Sequence, residues 1–463
     1  MKTNIKVVFI LFIAFQTHAQ CWKNTASGSS HSLAIKTDGT LWTWGFNGTG
    51  QLGDGTTISK NTPTQIGSDT NWKVISAGVD FSVAIKTNGT LWTWGNNLNG
   101  QLGDNTFTAK NIPTQVGTET NWNSIDAGYY FCVALKGSFS KSLWSWGHNQ
   151  FGQLGNGNLV DSATPSQIGT SLNWKSVSAG AYHVLALEFV TGGSRLLAWG
   201  YNGFGQLGDA TFLDKSIPTQ IGLDVTWQTL DSGHFHNLGK KTTATLWAWG
   251  WNLYRQLGDN TNANANVPIQ ITTDTDWQGV LAAGYNHSMV KKANGTLWSW
   301  GNSSNGQLGN GSTTTIAVPQ QIGTATNWGN FTTAGDRFST AMNQDGSLLT
   351  WGINANGEMG NGNNTGNGIP IVITCPTTLD IQKQIAENNT FIIYPNPATD
   401  ILNIKTLLNK TVSNIKIIDL LGKNILETNI GTNAINIQKL SQGIYTVTIT
   451  IDDINYQQKF IKN

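Results

Sequence analysis

Leu91-Trp92-Thr93-Trp94-Gly95-Asn96-Asn97-Leu98-Asn99-Gly100-Gln101-Leu102-Gly103-Asp104 decides the fold, because the chain repeats it as Leu41–Asp54 with three changes. Worn copies follow five more times. The glycine after the second Trp recurs at Gly45, Gly95, Gly147, Gly200, Gly250, Gly301 and Gly352, always 50 to 53 residues apart. A supersecondary unit repeated with so little drift fixes the architecture before any local reading begins. Of the 20 Trp residues, 19 fall in three recurring columns and Trp251 stands outside them.

One unit contains four short β-favouring runs, which in the second copy are Trp72–Gly78, Phe81–Ile85, Leu91–Trp94 and Pro113–Val116. Gly, Asn, Asp or Pro bounds each run. Asp38-Gly39, Asn88-Gly89 and Asn294-Gly295 read as two-residue hairpins in which both central residues take φ > 0. The runs do not alternate cleanly between apolar and polar, so the sheets are expected to be covered on both faces. Sheets standing between like sheets meet that condition. The expectation is an all-β chain: a seven-bladed β-propeller over residues 20–375, then a small C-terminal β-sandwich. A linear solenoid would need capping repeats, and the terminal units are as regular as the middle ones.

Residues 1–19 read as a signal peptide, with Lys2 and Lys6, an apolar run and Thr17-His18-Ala19 before the cut. The mature chain would then fold outside the cytoplasm. Acylation at Cys21 fits poorly, because His18 and Gln20 occupy its signal positions. Net charge is +1 and 11% of residues are charged, so no footprint for nucleic acid is present. The apolar run is too short to span a bilayer, and no transmembrane segment is expected in the mature chain.

Ala77-Gly78, His31-Ser32, His287-Ser288, Trp44-Gly45-Phe46-Asn47 and Gly50-Gln51-Leu52-Gly53-Asp54 resemble the repeats of the regulator of chromosome condensation family over about residues 22–374. That family includes a nuclear guanine-nucleotide exchange factor and secreted bacterial propellers similar to the β-lactamase inhibitory protein. The resemblance implies the fold; activity does not follow from it. After a polar linker, residues 376–390, Trp vanishes and Ile rises. Tyr394-Pro395-Asn396-Pro397-Ala398-Thr399-Asp400, Asp419-Leu420-Leu421-Gly422 and Gly443-Ile444-Tyr445 resemble the type A C-terminal sorting domain of the type IX secretion system. The resemblance implies that residues 391–463 address the chain to that machinery, and so to the surface or surroundings of a Gram-negative cell.

Catalytic chemistry finds little support. His31, His183, His236 and His287 share a column with Phe81, Phe131 and Phe338, and a position that accepts Phe is a packing position. Asp54, Asp104, Asp209 and Asp259 alternate with Asn156, Asn310 and Asn361, as turn residues do and calcium ligands do not. No nucleophile elbow, zinc motif or phosphate loop occurs, and no cofactor or metal is implied. Cys132 sits where other units carry Ser, inside a strand. Cys21 and Cys375 flank the first and last units, which a closed ring makes neighbours, so they are expected to form a disulfide.

The informative irregularity lies in two loops per unit, after Ala-Gly and after Trp-Gly, which share one propeller face. Their variable positions carry Tyr129, Tyr130, His148, Phe151, Tyr182, Tyr201, Phe204, His234, Phe235, Trp251 and Tyr254 in units three to five. Elsewhere they are mostly Ser, Thr and Asn, with Phe46 in unit one, Val79 and Asp80 in unit two, Tyr285 alone of the rings in unit six, and Asp336, Arg337 and Ile353 in unit seven. Arg255 replaces a Gly found in every other unit. Aromatics with an Arg make a hot-spot patch, so these twelve residues are the expected contacts of a non-enzymatic scaffold that binds an extracellular protein or glycan. Rings packed inward as loop struts are the plain alternative. An extracellular hydrolase or lyase at the propeller mouth is the other, and it needs paired acids; the first loops offer only Asp80 and Asp336.

Overall fold

The computed structural model describes residues 21–376, 391–396, 398–406, 412–419, 423–429, 434–451 and 454–462. The expected signal peptide, residues 1–19, and nearly all of the expected linker lie outside these residues. The chain divides into two compact units, residues 1–375 and 376–463.

The first unit is seven four-stranded antiparallel sheets, each in sequence order. Blade one is Trp22–Ser27, His31–Lys36, Leu41–Gly45 and Lys60–Gln65, and blade seven runs from Trp328–Ala334 to Asn367–Ile373. Every blade therefore comes from a single repeat, and no strand is exchanged at the closure. The seven first strands line a central cavity of about 260 Å³. Second strands such as Phe81–Lys86 are buried at every residue, which explains why they do not alternate. The outermost strands each hold one proline: Pro63, Pro113, Pro165, Pro218, Pro268, Pro319 and Pro370. A residue without an N–H blocks pairing at an exposed sheet edge.

Blades are joined by the second Trp of the motif. Trp94 Nε1 donates to the Gln51 carbonyl of the preceding blade at 2.8 Å, and Ser82 Oγ donates to the same oxygen at 2.8 Å. The device recurs through Trp351 and Gln307. It also closes the ring, where Trp44 Nε1 reaches the Glu358 carbonyl at 2.8 Å and Ser32 Oγ reaches it at 3.0 Å. Cys132 holds the equivalent place in blade three as a buried free thiol, its Sγ 3.7 Å from the Gln101 carbonyl. The His column is buried and bonds across blades too: His31 Nε2 lies 2.9 Å from Ser82 Oγ. Burial lowers the His31 pKa to about 3, so the ring is a neutral strut.

The Ala-Gly glycines form a ring of their own. A Cβ on Gly78 would lie 2.0 Å from the Phe81 ring and 2.6 Å from the Gly128 carbonyl, and one on Gly335 would lie 2.8 Å from the Gly28 carbonyl. Only glycine permits that approach. Cys21 and Cys375 form a disulfide with Cα atoms 6.0 Å apart, so a covalent bond ties the two ends of the ring.

One sequence expectation is corrected. Gly39 takes φ 82°, but Asp38 is not in the positive-φ region. Gly39 N–H donates to the Lys36 carbonyl, and Lys36 N–H to the Thr40 carbonyl. The loop is three residues, a turn followed by a left-handed glycine, rather than two residues with φ > 0. Asp38 Oδ1 instead accepts from the Thr40 N–H at 2.9 Å, which holds the turn without bending Asp38 into the disfavoured region.

Among the described residues, the second unit forms one three-stranded and one four-stranded sheet. Ile393, Leu402 and Ile404 of the first share one core with Ile415, Ile417, Val447, Ile449 and Phe460 of the second, the arrangement of a small β-sandwich.

Candidate functional site: the aromatic face

The Trp-Gly loops are rigid platforms. Asn252 Nδ2 donates to Asp259 Oδ1 at 2.9 Å, and Asn252 Oδ1 accepts from the Leu257 N–H at 2.9 Å. Asn202 repeats the scheme with Asp209 and Leu207. The alternating Asp/Asn column is thereby a turn anchor, as Asp54 also shows by accepting from the Thr56 N–H at 2.9 Å. The two loops of a blade are pinned together by backbone bonds: Tyr201 N–H to the Tyr182 carbonyl and Trp251 N–H to the Phe235 carbonyl, both 2.8 Å. Variable side chains are held out from a fixed frame.

Those side chains meet. Phe151 lies 4.8 Å from Tyr201 and 5.3 Å from Tyr182 between ring centroids. His148 touches Tyr130 and Tyr182, and its Nδ1 is 2.8 Å from Gln153 Nε2. Phe204 stacks on Trp251 at 5.5 Å and meets Phe235 at 5.1 Å. Trp251 meets Tyr254 edge-on at 5.5 Å. His234 stacks on Tyr129 at 4.5 Å and on Phe235 at 4.0 Å. All eleven expected rings belong to one connected network across blades three to five. His234 is buried; Tyr254, at 37% exposed, and Arg255 are open to solvent, and the other rings are half-buried. Arg255 sits at φ 63°, and its guanidinium makes no ion pair or hydrogen bond among the described residues.

Three features were missed in the sequence. Tyr285, left aside in blade six, lies 3.9 Å from His234 and 6.4 Å from Trp251 and extends the network. Asp126 and Asp231 line the central cavity beneath the mouth, so Asp80 and Asp336 are not the only carboxylates near it. Asp126 accepts from Ser76 Oγ at 2.9 Å and the Ala179 N–H at 2.9 Å, and Asp231 accepts from the Ala283 N–H at 2.6 Å. Their column otherwise holds Ala26, Ser76, Ser178, Ala282 and Thr333. An Asp inside a strand, among small residues, was the available signal.

Burial and the Asp336 charge push the Tyr129 hydroxyl upward, and burial alone raises Asp80. Burial lowers the His234 pKa to about 3, so its imidazole is neutral at neutral pH. Among the described residues no helix is long and apolar enough to cross a membrane.

Comparison with known proteins agrees with this architecture. Residues 38–85, 88–135, 142–187, 194–239, 244–290 and 294–342, more than half of the chain, match the regulator of chromosome condensation (RCC1) repeat. Residues 392–463 match the secretion system C-terminal sorting domain, which directs export through the type IX system to the cell surface or beyond. The ultraviolet-B receptor UVR8 of Arabidopsis thaliana is 28% identical over 52% of this chain and 43% of its own length. The chain thus spans less than half of that relative. Human WBSCR16 superposes with a TM-score of 0.65 at 21% identity, covering 73% of this chain and 94% of its own. Prp20p of Saccharomyces cerevisiae gives 0.66 at 20%, covering 75% and 89%. These two likenesses show the fold. With its repeats matched and its seven blades closed, the chain belongs to the regulator of chromosome condensation repeat family.

Proposed function

We propose that this chain is an exported, non-enzymatic binding scaffold whose aromatic face recognises an extracellular protein or glycan. The observation that carries the reading is continuity: rings from three adjacent blades form one half-buried surface on rigid loops. Scattered exposed aromatics need no explanation, whereas a contiguous patch marks an interaction site. The export address supports a partner outside the cytoplasm. Donors already engage Asp126 and Asp231, which supports a structural or electrostatic role for these acids over acid–base turnover.

The test is capture of partners from surface glycans and secreted proteins by the intact chain, repeated with Trp251→Ala and Tyr201→Ala. Each substitution is expected to weaken binding by about 2 kcal/mol or more if these rings are anchors, with the melting temperature nearly unchanged. A large loss of stability with binding unaltered would make the rings struts and end the proposal.

A further inference from the structure

The residue after each Ala-Gly or Ser-Gly glycine lines the mouth of the central channel, and, apart from the apolar Val79 and Ala181, these residues fall into two arcs. Tyr129, His234 and Tyr285 form an aromatic arc, with His234 stacked on Tyr129 at 4.5 Å and tilted against Tyr285 at 3.9 Å. Asp336 and Ser29 form a polar arc, joined by a hydrogen bond from Ser29 Oγ to Asp336 Oδ2. All five line the cavity of about 260 Å³, together with Asp126 and Asp231 deeper in. Its lining contains no Lys or Arg among the described residues.

We propose that this mouth receives a cationic side chain, lysine or arginine, presented by a protein that docks on the aromatic face. The inference rests on the face being a binding surface and narrows its partner to a protein. Three observations support it. Ring faces carry negative charge density and attract ammonium and guanidinium groups, most strongly when water is excluded. Three carboxylates share the cavity without a cation to balance them, and burial pushes Asp126, Asp231 and Asp336 above the ordinary carboxylate range. Arg337, beside Asp336, acts against that rise, but its side chain is exposed and does not line the cavity. Finally, His234 is 9% exposed and its Nδ1 has no hydrogen-bond partner. It lines the cavity as a neutral imidazole with unspent hydrogen-bonding capacity.

The chemistry separates this site from a sugar subsite. A hexose would stack flat on open rings and could donate hydroxyls to the carboxylates, but it brings no positive charge to balance three of them. A cation on a narrow stem uses the rings, the acids and the imidazole together.

The experiment is ligand-observed NMR titration of the mature protein with N-acetyl-lysine methylamide, N-acetyl-arginine methylamide and the neutral N-acetyl-norleucine methylamide. At least one cationic probe is expected to bind about tenfold more tightly than norleucine, the range of a desolvated cation–π contact. Which cation binds better names the partner's side chain. Asp336→Asn and, independently, Asp231→Asn should each weaken the cation and leave norleucine unchanged; their melting curves confirm folding. Equal binding of all three probes overturns the proposal, as does binding that ignores both Asp substitutions. If neither cation binds while partner capture still depends on Trp251 and Tyr201, the pocket assignment falls and the face reading stands.

Discussion

Trp94 and Trp251 are the same residue with opposite duties. Trp94 is fully buried, and its indole N–H is spent on the Gln51 carbonyl of the neighbouring blade. Trp251 is half-exposed and touches Phe204, Phe235, Tyr254 and Tyr285. The first has six equivalents; the second has none. In a ring built from copies, what every blade repeats serves the ring. What one sector alone carries is free to serve something outside it.

The largest effect should come from the covalent ring-closing contact, which no other blade repeats. The disulfide separates residues 354 apart in sequence, and for such a loop the chain-entropy model gives ~6 kcal/mol as an upper figure. Cys21→Ser should lower unfolding stability by about 4 kcal/mol, since engineered and native cases usually fall below that ceiling. Denaturant midpoints of the two proteins measure it. An unchanged midpoint would show that Trp44 and the glycine ring close the propeller unaided.

A matched pair of substitutions sharpens the comparison. Trp94→Phe removes the N–H and part of a packed ring, and should cost about 3 kcal/mol from lost packing and a weakened acceptor at Gln51. Trp251→Phe should change stability by less than about 0.5 kcal/mol, as surface substitutions do. Equal losses at the two positions would erase the division between ring and face.

The ring was legible in the sequence because its devices repeat: strand, glycine approach, indole N–H and edge proline recur on one period. The paired loss of Lys and Trp was equally visible, though unread. Lys86 lies 3.7 Å over Trp92 and bonds Asp69. Blades four and seven lack both partners, with Glu188 and Leu197 in one and Asn343 and Leu349 in the other. The face was legible as a list of rings, because the loops are aligned, but not as a network, because centroid distances depend on rotamers. The mouth was harder still. Tyr129, His234 and Asp336 come from blades three, five and seven, and only ring closure turns residues more than 100 positions apart into one wall. Asp126 and Asp231 hid inside strands where the repeat pattern directed attention to apolar positions.

A small gain in stability is the most diagnostic effect. Arg255 occupies a backbone site at φ 63° where the other six blades place glycine. At the equivalent Gly205, a Cβ would stand 2.6 Å from Asn266 of the next blade, and Arg255 itself bears left-handed strain. Non-glycine residues in that region cost of order 1–3 kcal/mol, partly offset because glycine raises the entropy of the unfolded chain. Arg255→Gly should therefore stabilise the propeller by about 0.5–1 kcal/mol, read as a higher denaturant midpoint. Its guanidinium contributes no bond within the described residues, so nothing structural is lost with it. If Arg255 is a contact of the aromatic face, the same variant should bind the captured partner more weakly while standing more stable. A position that improves the fold and impairs binding when restored to the repeat consensus is held away from consensus by function. Unchanged binding in the stabilised variant would remove Arg255 from the site and leave its strain without a purpose.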